Sequence, residues 1–160
     1  MGVSGSGKTT VGDRLADESG RVFIDADDLH PAANKEKMAA GIPLTDDDRW
    51  PWLRVVGQRL AVGDGVIMAC SSLKRAYRDL LREYAPNAYF ALLEGSREVL
   101  QARVGGRHHE YMPASLLDSQ LALLEPLEAD EAGGVFDIAH PVDEIVAAIR
   151  EALASDEPAA

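Results

Sequence analysis

The chain has 160 residues, 46% hydrophobic and 27% charged, which suits one domain with one core and excludes general disorder. Its 16 basic against 27 acidic residues leave a formal charge of −11, which argues against non-specific nucleic-acid binding. An anionic substrate would then need a local basic cluster. A single cysteine, Cys70, excludes an internal disulfide and a cysteine-built zinc site. No apolar run reaches the ~18 residues of a membrane span, and no signal peptide is visible, so a cytoplasmic protein with no membrane partner is expected.

The first element is a glycine-rich loop. Gly2-Val3-Ser4-Gly5-Ser6-Gly7-Lys8-Thr9 has the G-x-x-x-x-G-K-[ST] spacing, in which glycines let successive N–H groups turn toward phosphate oxygens. The helix expected over 8–18 adds its positive end. Lys8 would reach the β- and γ-phosphates, and the Thr9 hydroxyl would ligate Mg²⁺. Such a loop normally follows a buried strand, and here only Met1 precedes it. The expectation is that the natural protein begins upstream, with roughly 6–12 further residues carrying an apolar strand.

Four apolar runs follow, at 22–24, 66–70, 89–93 and 135–138, each near-continuous as in a parallel sheet covered on both faces. Helical patterns at 51–62, 73–84, 96–104, 114–124 and 142–154 separate them, with Ser71 or Ser72 expected to cap the helix near Leu73. This alternation predicts an α/β domain over 1–155, with a frayed tail at 156–160.

Chemistry-bearing residues cluster after the apolar runs. Asp25 and Asp27, in a strand-like segment, would point the same way; one would support Mg²⁺ through water and the other accept a proton from a substrate hydroxyl. Arg49 stands among acids just before a helix. Lys74, Arg78 and Arg82, four apart, would share the helix face that supplies the basic patch for an anion. Arg103 and Arg107 flank a glycine pair in a lid placed at about 104–114, suited to bringing charge onto a transferring phosphate. His108 and His109 are adjacent, so their side chains diverge and make a poor metal pair. Cys70 reads as a small buried apolar residue.

Several blocks together resemble the gluconokinases, small P-loop sugar-acid kinases. They are Gly2 to Thr9; Asp25-x-Asp27-x-x-His30-Pro31-x-x-Asn34-x-x-Lys37-Met38; Gly41-x-Pro43-Leu44 through Arg49-x-Pro51-Trp52-Leu53; Cys70-Ser71-x-Leu73-Lys74-x-x-Tyr77-Arg78-Asp79; and Met112-Pro113 through Leu124-Glu125. The resemblance spans about residues 2–140 and implies a three-layer P-loop NTPase fold with strand order 2-3-1-4-5, its first strand missing here. It implies ATP- and Mg²⁺-dependent phosphorylation of D-gluconate to 6-phosphogluconate by a homodimer. By that likeness Gly2, Ser4, Gly5, Ser6, Gly7, Lys8, Thr9, Thr10, Arg103 and Arg107 would bind the nucleotide, Arg103 against the adenine. Lys8, Asp27 and Arg107 would be catalytic. Asp27, His30, Arg49, Lys74 and Arg78 would hold the sugar acid, and Thr9 with Asp25 the metal. The lid departs from familiar members, with Glu110 at the usual histidine position. Two other readings compete: a related P-loop kinase for another hydroxy acid such as shikimate, and a non-catalytic nucleotide-binding protein.

Overall fold

Four short strands, each followed by a helical segment, form two parallel pairs in the computed structural model, which describes residues 1–62, 65–105 and 114–156. The order is α1 (Lys8–Ser19), β1 (Val22–Asp25), a 3₁₀ turn (Ala26–Leu29), α2 (Ala32–Ala39), α3 (Asp46–Leu60), β2 (Val66–Ala69), α4 (Arg75–Tyr84), β3 (Phe90–Glu94), α5 (Arg97–Gly105), α6 (Ala114–Leu123), β4 (Gly133–Asp137) and α7 (Val142–Asp156). β1 pairs with β2, Asp25 opposite Ala69, and β3 pairs with β4, Phe90 opposite Gly133. One buried cluster runs through both pairs, including Val11, Leu53, Leu81, Leu93, Ile138 and Val146.

The two pairs are the outer parts of the expected strand order, and the place between them is a cavity of about 530 Å³. Ile67 and Met68 of β2 line one side, Phe90 and Ala91 of β3 the other, with Met1 among the lining residues. Met1 makes the hydrogen bonds of a strand residue there. Its amine donates to Ala91 O at 2.5 Å and its carbonyl accepts from Leu93 N at 2.9 Å. That is the slanted pattern of a parallel ladder, with Met1 opposite Leu92. On the other flank Gly2 N donates to Ser71 O at 3.2 Å. Desolvation, with Lys8 adding to it, pushes the Met1 ammonium down to about 5.

Several expectations are corrected. The helix expected at 51–62 begins at Asp46, because Thr45 and Asp48 form a capping box; Pro51 lies inside it rather than at its start. α2 and the 3₁₀ turn carry no strong apolar period, and the sequence reading passed over them. α4 begins at Arg75 with Lys74 as its cap and no side-chain capping bond, so neither Ser71 nor Ser72 caps it. Most of the expected lid, residues 106–113 with Arg107, His108 and His109, lies outside the described residues, as does 157–160.

Candidate active site

Glycine geometry builds the phosphate loop. Gly2, Gly5 and Gly7 have φ of 137°, 80° and 91°, backbone that side-chain-bearing residues rarely adopt. A Cβ on Gly2 would lie 2.7 Å from Leu93 O and one on Gly5 2.8 Å from Val104 Cγ2, so the loop is pressed onto β3 and α5. Gly7 caps α1 in a left-handed conformation without a side-chain bond, at the positive end of the helix. Ser6 is 1% exposed and its Oγ has no hydrogen-bond partner among the described residues, an orphaned buried polar group in the loop itself. This cradle fits a polyphosphate. Lys8 Nζ donates to Val3 O at 3.1 Å across the loop, and Ser4 N donates to Gln120 Oε1 of α6 at 2.7 Å. Gln120 had no sequence signal beyond its place in the family blocks.

Thr9 Oγ1 donates to Asp25 Oδ2 at 2.8 Å, joining the start of α1 to the end of β1. A hydroxyl and a carboxylate are the hard oxygen donors that suit Mg²⁺. No group of three or more His, Cys, Asp or Glu among the described residues could hold a metal, so phosphate and water oxygens would have to complete the shell. Beside the loop a cavity of about 340 Å³ is lined by Gly5, Gly7, Thr10, Arg103, His140 and Ile145 among others. Arg103 Nη2 donates to Ile138 O at 2.7 Å, which fixes its guanidinium there.

The acceptor side grows from the segment after β1. Asp25 Oδ1 accepts from Asp27 N at 3.0 Å and caps the 3₁₀ turn, so the two acids do not share one face of a strand as expected. Asp27 is exposed and its Oδ1 lies 3.8 Å from His30 Nε2. His30 is 7% exposed and its Nδ1 accepts from Asn34 Nδ2 at 3.2 Å. Burial, then Arg49 and Lys35, push its pKa down to about 4, so the ring is neutral with its proton on Nε2, toward Asp27. Trp52 stacks on His30 and donates from Nε1 to Ala26 O at 2.8 Å.

Arg49, also 7% exposed, donates to Leu44 O and lies 5.9 Å from the Tyr77 ring centroid. Lys74 Nζ donates to both Asp46 oxygens at 2.9 Å and lies 5.5 Å from the same ring. The Tyr77 hydroxyl also donates to Asp46. Hydrogen bonds from Tyr77 and then Lys74 hold the Asp46 carboxyl below the usual carboxylate range. Asp27, His30 and Trp52 therefore form one group and Arg49, Lys74, Tyr77 and Asp46 another, with the charge of Arg49 felt at the His30 ring. The sequence reading missed these contacts: Asp46 stood in an acidic run and Tyr77 in a helix.

The basic helix face is a second correction. Arg78 is 0% exposed; its Nε and Nη2 donate to Glu131 at 2.7 and 2.8 Å, and its remaining bonds go to backbone carbonyls. Arg82 donates to Glu131 and Asp79. Both guanidiniums are taken up by the carboxylate of Glu131, far away in sequence, in place of an external anion.

A glycine-built phosphate loop between a parallel sheet edge and α1, with a polar acceptor cluster beside it, defines a P-loop kinase. The family described as an AAA domain matches residues 1–127. The thermosensitive gluconokinase of Escherichia coli is 43% identical over 158 residues, covering 96% of this chain and 84% of that protein. The crystal structure of a gluconokinase from Sinorhizobium meliloti is 52% identical, with a TM-score of 0.86, covering 96% of this chain and 87% of that one. An unliganded sugar kinase from Janibacter is 46% identical, with a TM-score of 0.90, over 96% and 91% of the two chains. The chain belongs to the gluconokinase family.

Proposed function

We propose that this protein transfers the γ-phosphoryl group of ATP to D-gluconate, giving 6-phospho-D-gluconate and ADP. The observation that carries this reading is the tie of Asp27 to the Thr9–Asp25 end of the phosphate loop, with His30 beside Asp27 and the charge of Arg49 felt at His30, in a chain of this family. The backbone and side chains of Gly2, Ser4, Gly5, Ser6, Gly7 and Thr10, with Lys8, hold the phosphates. Arg103 lies against the adenine in the adjoining cavity. Thr9 and Asp25 would hold Mg²⁺, which would neutralise phosphate charge when bound.

Phosphoryl transfer has a loose transition state, so positioning and charge do most of the catalysis. Asp27 accepts a hydrogen bond from the attacking hydroxyl and aligns it. Neutral His30 donates to an acceptor oxygen, while Arg49 and Lys74 offer positive charge to the carboxylate. Arg107 bears on the transferring phosphoryl group. A homodimer in the cytoplasm is part of the same proposal and rests on the family resemblance.

The test is ADP release from Mg-ATP with D-gluconate, shikimate, glucose or no acceptor. Release dependent on gluconate alone is expected. Equal release with shikimate, or release indifferent to any acceptor, would overturn it.

A further inference from the structure

The turn between β2 and α4 joins the two halves of the site. Ser71 O accepts from Gly2 N, where the phosphate loop starts, and three residues on Lys74 Nζ reaches Asp46. Between them Ser72 has φ 46°, the one non-glycine positive φ among the described residues, and is 2% exposed. A serine there is strained and persists only where the surroundings hold it.

Arg78 supplies that hold. Its Nη1 donates to Ser72 O at 3.3 Å, Leu73 O at 3.5 Å and Glu125 O at 3.2 Å; its Nη2 donates to Pro126 O at 3.0 Å. Glu131 neutralises the charge from the far side, and Glu125 N donates to Leu73 O at 2.8 Å. An ion pair alone would need only Glu131. The carbonyl contacts use the planar fork of arginine to tie the 72–73 turn to the 125–126 segment.

We propose that Arg78 is a positioning residue for the kinase reaction: by holding Ser72 in its left-handed turn, it sets Lys74 and Asp46 relative to the phosphate loop without touching substrate. This rests on the acceptor-side role given to Lys74 above.

Steady-state kinetics of Arg78→Lys, which keeps the charge but loses most of the fork, provides the test. KM for gluconate is expected to rise by about tenfold or more, as for a small displacement of a positioned group, with KM for ATP nearly unchanged. Adding Ser72→Gly to Arg78→Lys should recover much of that loss, since glycine takes the turn without support. Should Arg78→Lys fail to fold by circular dichroism, Ser72→Thr strains the same turn from its other end and should give the same split between the two KM values.

Unchanged KM values would overturn the proposal. So would a loss in kcat alone that tracks the melting temperature, or no recovery with glycine. Lys74→Met separates the two ideas. A raised gluconate KM there but not in Arg78→Lys removes only the positioning role. A raised KM in Arg78→Lys but not in Lys74→Met takes Lys74 out of the acceptor site and leaves the turn's role standing.

Discussion

His30 lies face to face on Trp52, with ring centroids 4.0 Å apart and planes inclined by 15°. The indole is anchored by its own hydrogen bond to Ala26 O, so the stack fixes the imidazole against the 3₁₀ turn that carries Asp27. The ring is held neutral there by burial and by Arg49 and Lys35.

That arrangement makes stability depend on pH. The folded pKa is about 4 and the ordinary value 6.5, so the unfolded chain binds the proton more tightly. The contribution is complete above pH 6.5 and is lost as pH falls toward 4. Urea denaturation at pH 8 and pH 5 should show wild type losing about 2 kcal/mol more than His30→Gln over that interval. Equal pH slopes for the two proteins would count against a buried neutral His30.

Asp25 accepts from Thr9 at the start of α1. Asp25→Asn removes a negative charge from the expected cation position. The Mg²⁺ concentration for half-maximal activity should rise on the order of tenfold, with the gluconate KM less affected. A metal titration of ADP release checks this, and an unchanged requirement would take Asp25 out of the metal's surroundings.

Asp27 is an exposed acid with Oδ1 3.8 Å from His30 Nε2. Asp27→Asn should lower kcat by roughly 10²–10⁴-fold while leaving the ATP KM near wild type. Turnover at the wild-type rate would defeat its role in aligning the hydroxyl.

β2 and β3 flank the cavity beside Met1 without pairing to each other. Joining about four Val- or Ile-rich residues to Met1 should complete the ladder and stabilise the fold by about 2–4 kcal/mol. An equally long extension carrying Pro and Asp should not. Thermal melts of the two extended proteins against the 160-residue chain decide it; equal midpoints would mean the gap does not accept a strand.

The phosphate loop was legible in the sequence because its chemistry is local. Glycine spacing, Lys8 and Thr9 lie within eight residues, and the backbone they need is dictated by glycine itself. The strands were legible as apolar runs.

Arg78 shows where that legibility ended. Four-residue spacing correctly put it on a helix with Arg82, but spacing says nothing of what packs against that helix. Glu131, 53 residues away, arrives only when β4 pairs with β3, and it turns a basic face into a buried ion pair. The same holds for Ser72, whose carbonyl shares the Arg78 guanidinium with those of Glu125 and Pro126, 47 and 48 residues beyond that arginine, and for the Asp46–Lys74–Tyr77 bridge. By itself the sequence determined the phosphate loop, the strands and the strongly periodic helices, which follow from short-range sterics and periodicity, but not the 3₁₀ turn or α2. Tertiary structure alone decided which charges face the site and which cancel, because electrostatic partnership depends on distance in space and on burial.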